Sequence, residues 1–471
     1  MRYPNFVDGS NDLTGSDGQR TVNLMPEMVG AAGKSPARLI GTPGLAQVAE
    51  VAGASSGRGI FEGDLAGTKY FYAVIDATLY KIKTDGTSAV SLGSVGTDAA
   101  GSPVSHASGG PDMDTLLVSN GVAYSLLGGV LAPIDALDGI ICLDCCYISG
   151  YWIVITSDNV FMRSEVGDVL TWDPLHYDYP DPQVEPLVAC AANNGQVWFF
   201  GQTRTTIWVL DPTMDIGLSP LQGVVLQRGC LSKSTVKIVD NAIVWLSRMP
   251  SGGAQVAMAR SYSPAKISTH WVDDILEGLG SSLTGAYAIV TEESGHEVYM
   301  LSIPSASTSL AFDAATRRWH ERAGYSGGTW SLHLAKCHLA KDQVHFVTAR
   351  NSGKIYTLDL DHLTDAGSSI RRLRRAPYLH REGDLLSISR FRLDILKSLG
   401  AEGSAPQAYM TYSANGGTTF STPIGCSMGE TDEDPNVVSL TWHRLGTGRH
   451  YVFEVYSDAP IRHVWNDAFL N

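Results

Sequence analysis

The chain has 471 residues and a mass of 50.5 kDa, with 44% apolar and only 17% charged residues, and with 49 glycines beside 21 prolines. A chain poor in charge and rich in Gly, Thr, Ser, Val and Tyr excludes helix bundles and coiled coils, which draw on Glu, Lys, Ala and Leu, and points to short strands joined by tight turns. The balance of 34 basic against 48 acidic residues leaves a formal charge of −14, which excludes a general nucleic-acid clamp, because such binders cover phosphates with Lys and Arg.

Residues 1–54 show little periodicity and much Gly, Pro and Asn. They read as an extended N-terminal arm without a core of its own, the kind of segment that orders by packing on a neighbouring subunit or another partner. The opening MRYPNFVDGSNDLTG lacks a basic start followed by an apolar stretch. No run of ~18 apolar residues occurs, and the greasiest region, 121–156, is interrupted by Pro133, Asp135, Asp138 and Asp144. The expectation is a soluble protein made in a cytoplasm, with no membrane insertion.

From residue 55 onward a hairpin pattern recurs seven times. KYFYAVI turns at Asp76 into ATLYKIK, and DTLLVS turns at Asn120-Gly121 into VAYSLL. Further turns lie at Asp158-Asn159, Asn193-Asn194-Gly195, Asp240-Asn241, Ser294-Gly295 and Asn351-Ser352-Gly353, each between two β-forming runs. Asn and Gly accept positive φ, which makes such turns the strongest short-range hairpin signal. The turns are about 36 to 58 residues apart, and a four-stranded propeller blade takes ~40–50. The expected fold is therefore all-β: a β-propeller of about seven blades over 55–380. A C-terminal β-sandwich-like domain over 381–471 follows, with strands in LLSISRFRLDIL, QAYMTYS, VVSLTW, HYVFEVYS and IRHVWND. An unrelated series of hairpins in sandwiches is the alternative architecture.

Motifs that would carry chemistry are sparse. Gly53-Ala54-Ser55-Ser56-Gly57 matches G-x-S-x-G but lies in a small-residue loop, where a nucleophile elbow needs a strand before it and a helix after it. Cys142, Cys145 and Cys146 lack the second pair or histidine that a metal or redox site needs, and read as buried reduced thiols. His333, Cys337, His338 and His345 do not converge as zinc ligands on an extended strand, where His333 and Cys337 would share a face and His338 would point away. The acidic run from Glu430 to Asp434 reads as a solvated loop before a Ca²⁺ site. No catalytic residue, metal or cofactor is expected.

Two features remain open. Ser413, Asn415, Gly417, Thr419 and Phe420 fit a degenerate Asp-box, S-x-D-x-G-x-T-W, which closes a β-hairpin by local side-chain bonds. Arg371, Arg372, Arg374 and Arg375 form the densest basic run of an acidic chain. They are either a set of surface ion pairs, a subunit contact or a local DNA-facing ring.

In its landmarks the chain resembles the tail hub or nozzle proteins of short-tailed phages, also called packaged-DNA stabilisation proteins. The resemblance rests on Val22, Asn23, Pro26 and Glu27, then Thr42, Pro43, Gly44 and Leu45, in the arm. It continues in Arg228-Gly229-Cys230, in the run from Asn241 to Trp245 and Leu246, in the Asp-box-like turn, and in Trp442, Arg444, Leu445, Gly446 and Arg449. It implies a non-enzymatic virion tail protein, assembled in the host cytoplasm as a homohexameric ring beneath the portal and its adaptor. Such a ring extends the DNA channel, helps retain packaged double-stranded DNA and docks a distal needle, spike or fibre. It also marks Val22, Asn23, Pro26, Glu27, Pro43 and Gly44 as the candidate assembly arm. Two other readings stand beside it: a sialidase-like glycan-processing propeller, which needs an arginine cluster, a Tyr nucleophile and carboxylates, and a monomeric carbohydrate-binding or adhesion module.

Overall fold

The computed structural model describes residues 1–10, 18–30, 36–62, 69–98, 101–181, 183–396, 406–429 and 438–471. The acidic run from Glu430 to Asp434 lies outside them. Strands dominate, and the one α-helix of the described residues is His270–Glu277.

Seven antiparallel meanders follow one another along the chain. The first is Gly57–Phe61, Tyr70–Ile75, Thr78–Lys83 and Ala89–Ser94, and the next three span 105–133, 142–178 and 187–226. In the fifth, Gly229–Cys230 and Lys237–Val239 both pair with Ala242–Arg248 before Ala254–Ala259 and Ala265–Lys266 follow. The sixth spans 287–321. The seventh takes three strands from 335–359, and its fourth, Gly44–Glu50, comes from the N-terminal segment and lies antiparallel to Lys354–Asp359.

Side-chain parity explains why the second strand of each meander is built on a consecutive apolar run. Successive residues of a strand point to opposite faces, and here both faces meet another sheet. Phe71, Ala73 and Ile75 pack toward the seventh meander with Phe346 and Ile355, while Tyr72 and Val74 pack toward the second with Val104 and Leu117. The same split sends Trp152 and Val154 one way and Ile153 and Ile155 the other. It separates Val197 and Phe199 from Trp198 and Phe200, and Ile243 and Trp245 from Val244 and Leu246. Each consecutive pair of meanders thus shares its own apolar cluster, and the cluster between seventh and first closes the circle. This is a β-propeller.

The C-terminal region is a sandwich of two sheets. One runs Leu24–Met28, Ala37–Gly41, Val464–Leu470, Arg390–Ile395, Val438–His443. The other prolongs the sixth meander: its strand Arg318–Glu321 is extended by Arg20–Val22, then Arg372–Arg375, His450–Ser457, Gln407–Ser413 and Ile424–Ser427. Between them lies the largest apolar cluster, including Leu393 and Trp465 from the first sheet and Met410, Phe453 and Val455 from the second.

The N-terminal segment corrects one expectation. The described residues of 1–54 do not stand off as an arm awaiting a neighbour. Tyr3, Phe6, Leu24 and Leu39 complete this sandwich core, and Gly44–Glu50 completes the seventh meander. Local periodicity was missing because the strands are short and, apart from the pairing of Leu24–Met28 with Ala37–Gly41, their partners lie hundreds of positions away. Leu24→Ala is expected to cost about 2–5 kcal/mol, as for other buried leucines. The loss should appear in the denaturant midpoint of the isolated chain, because the cavity opens inside one molecule.

Candidate functional site

The arginine run occupies the strand Arg372–Arg375 and divides by parity. Arg372 and Arg374 are buried, whereas Arg371 and Arg375 lie on the opposite, partly exposed face. Arg374 Nε donates to the Phe6 carbonyl (2.6 Å), and its two amino groups reach the carbonyls of Asn5 (2.8 Å) and Gly9 (3.2 Å), Thr21 Oγ1 (2.8 Å) and Gln19 Oε1 (2.9 Å). Burial lowers its pKa to about 10, against the pull of Asp8. Arg372 sits under Gly41, where a Cβ would come within 2.6 Å of its Nε, and it faces Thr42 O (3.4 Å).

Arg371 is clamped by both Asp458 carboxylate oxygens (2.7 and 2.5 Å) and held between the rings of Tyr325 (3.8 Å to the centroid) and Tyr456 (4.4 Å). Arg375 Nε bonds Glu454 (2.9 Å) and lies over Phe420. Each of the four guanidiniums is thus engaged within the chain, and the two inner ones are out of reach of any phosphate. The sequence alone could not separate this from a basic ring, since most of the partners stand far away, at positions 5–42, 325, 420 and 454–458.

The candidate arm residues meet at the same seam. Val22 is buried with Ala323 and Leu373. Asn23, at φ +54°, fastens three segments: its Nδ2 donates to the carbonyls of Ala323 (2.8 Å) and Arg371 (2.9 Å), and its Oδ1 accepts the Ala323 amide (3.0 Å). Its backbone adds Asn23 N to Glu321 O (2.9 Å) and Thr42 N to Asn23 O (3.1 Å). Pro26 is buried in its strand opposite Leu39, and Glu27 pairs with Arg38. Pro43 is buried, and Gly44 passes so near the backbone of 362–364 that a Cβ would meet His362 O at 2.4 Å.

The Asp-box-like turn closes itself. Ser413 Oγ donates to Asn415 Oδ1 (2.7 Å) and accepts the Gly417 amide (2.9 Å), and Asn415 Oδ1 also takes the Thr419 amide (3.0 Å). Asn415 therefore does the acceptor's work of an aspartate, while its Nδ2 reaches Thr419 Oγ1 (2.9 Å). The G-x-S-x-G loop is tied the same way, with Ser55 Oγ (2.7 Å) and the amides of Ser55 and Ser56 bonded to the Asp76 carboxylate.

The first strands of the meanders surround a central cavity of about 520 Å³. It is lined in part by Cys145, Cys146, Cys190 and Cys337, all free thiols, and burial pushes the pKa of Cys145 and Cys190 well above the ordinary range. His338 Nε2 faces His345 Nδ1 at 2.9 Å with the rings stacked. His333 precedes the strand, its Nδ1 accepting the Ala335 amide (3.2 Å), and a bulge between Ala335 and Cys337 interrupts the alternation expected to align His333 with Cys337. Among the described residues no group of three His, Cys, Asp or Glu is placed to hold a metal ion. Sequence reading missed Lys233, Lys237 and Lys336, which also line the cavity. Their only local mark is a lysine among small residues at the head of a hairpin.

A family model described as Bacteriophage P22 Gp10, beta-propeller, matches residues 16–362. No curated protein matches the chain in sequence. Among solved structures it is similar to YCF48 from Cyanidioschyzon merolae, at 11% identity over 67% of this chain and 99% of that one, with a TM-score of 0.42. It is also similar to the computationally designed Ika8 protein, at 12% identity over 66% and 99%, with a TM-score of 0.37.

Arg374→Met is expected to destabilise the chain by about 3 kcal/mol or more, since several buried acceptors lose their donor together. Arg374→Lys should recover little, because an ammonium cannot reproduce the fork; denaturant titration of both variants checks this. Burial lowers the pKa of His106 to about 4 and those of His333, His338 and His463 to about 3. These groups stay neutral in the fold while the unfolded chain protonates near pH 6.5, so their contribution is complete above that value and is lost as pH falls toward 4. Urea midpoints measured from pH 7 to 4 should fall steadily over that interval.

Proposed function

We propose that this chain, which belongs to the phage family described as Bacteriophage P22 Gp10, beta-propeller, forms the tail hub or nozzle of a short-tailed phage. In this reading six copies stand in a ring beneath the portal and its adaptor, extend the DNA channel, help retain the packaged genome and dock distal tail parts. The observation that carries it is the family match, which covers residues 16–362 and so takes in all seven meanders.

The fold supports the reading in two ways. A cavity of about 520 Å³ is of the size that holds small molecules, so a duplex runs between copies and not through a propeller. Six copies at −14 each carry a formal −84, and a wall of that sign repels phosphate, so DNA slides without exchanging counterions at each step. The occupied arginines agree with this, since neither Arg372 nor Arg374 is offered to a phosphate. Nor do they form the open guanidinium cluster that a sialidase-like site needs.

Rigidity is the property such a part requires. One continuous sheet joins the sixth meander to the sandwich, so load applied at one end is carried through backbone hydrogen bonds. The mass of the purified chain in solution, alone and with a portal–adaptor assembly, tests the proposal. A hexameric ring, formed alone or on the assembly, is the expected result. A monomer that ignores the assembly would overturn it.

A further inference from the structure

The central cavity carries a charge opposite to that of the chain. Three lysines line it, Lys233, Lys237 and Lys336, against one carboxylate, Asp144. Two of the lysines are spoken for. Lys233 reaches across to Ser105 Oγ (3.0 Å) and the Leu143 carbonyl (2.5 Å), and its charge opposes the effect of burial on Asp144. Lys336 is held by Ser56 Oγ (2.9 Å) and the Gly101 carbonyl (2.7 Å).

Lys237 differs from both. It heads the strand Lys237–Val239 and lines the cavity, with no hydrogen bond or contact ion pair among the described residues; Asp144, the one carboxylate of the cavity lining, acts on it only through space. It is half-buried at the cavity wall, and desolvation holds its pKa below the ordinary lysine range, against the pull of Cys337 and Asp144. Across the cavity His106 is stacked on Phe61 (4.8 Å) and His338 is bonded to His345. Burial first, and the Lys237 charge after it, favours the neutral form of His106. A partly desolvated ammonium with no contact ion pair is costly, and an apolar side chain of similar length would remove that cost.

We propose that the central cavity is a binding site for a small oxyanion of the phosphate class, received by Lys237, with the Ser234 hydroxyl on the adjoining turn as a further donor. An entering anion supplies the direct ion pair that Lys237 lacks, and its hydrogen bonds to an ammonium in a partly desolvated site are of the strong, charge-assisted kind. The volume admits phosphate with its waters or a nucleoside monophosphate, and excludes a duplex. The proposal stands independently of ring formation.

Calorimetric titration of the full chain with inorganic phosphate, against chloride at equal ionic strength, tests it. Saturable binding of one phosphate per chain is expected, with a thermal midpoint that climbs with phosphate concentration above Kd. Lys237→Met should bind phosphate at least about tenfold more weakly, the loss of one charge-assisted bond. Without phosphate the same variant should unfold no earlier than the natural chain. A deoxynucleoside 5′-monophosphate that competes with phosphate would identify a phosphate monoester as the ligand, and one that does not compete would identify the free ion. Equal effects of phosphate and chloride would overturn the proposal. So would undiminished phosphate affinity in Lys237→Met, or a variant that unfolds earlier or fails to fold without phosphate, since Lys237 would then be structural.

Discussion

Asn23 stands where the propeller, the sandwich and the returning N-terminal segment meet, and the geometry of the molecule depends on how its amide is shared. Its left-handed backbone turns the chain out of Arg20–Val22 and into Leu24–Met28, that is, from one sheet of the sandwich into the other. Its side chain bonds the backbone on both sides of that turn, at 323 and at 371. Asn tolerates positive φ at low cost and offers both a donor and an acceptor, and no apolar residue does both. The continuous sheet from the sixth meander into the sandwich runs directly beside this point, through Val22 paired to Glu321 and Leu373.

Buried arginine is the second recurring device. A glycine-rich chain with many tight turns leaves carbonyls pointing inward that no strand ladder satisfies, and each would be costly to bury alone. Arg58 gathers the carbonyls of Asp76, Gly96 and Ser102; Arg163 gathers those of Ser164, Asp215 and Ile216; Arg374 gathers those of Asn5, Phe6 and Gly9. Five donors in a fixed plane suit this work. Arg322 answers a carboxylate instead, bonding both oxygens of Glu293 at 2.6 and 2.7 Å. Arginines in this protein therefore mark where turns converge, so the dense run at 371–375 is first of all a feature of folding.

Charge is distributed with the same economy. The excess of acidic residues belongs to the chain as a whole, while the centre of the propeller holds three lysines and one aspartate. Inside, one carboxylate, Asp144, stands against Lys233, Lys237 and Lys336, which leaves the cavity basic.

The hairpins, and the all-β class they imply, were determined by the sequence alone, because each depends on neighbours within a few residues: Asn or Asp with Gly at the turn and an apolar run either side. The local closure of Ser413–Thr419 was legible for the same reason. The apolar runs in the second strands also carried the information that both faces are buried, as Tyr72 and Ala73 show by packing toward different neighbours. Only the tertiary structure decided that Gly44–Glu50 completes the seventh meander, that Phe6 and Leu24 belong to the C-terminal core, that Arg374 is buried while Arg371 faces outward, and that Lys237 stands alone among residues from distant strands. Pairing between strands is set by backbone hydrogen bonds, which are alike for every sequence. Which distant segments join is chosen by the packing of the whole chain, and no short window contains both partners.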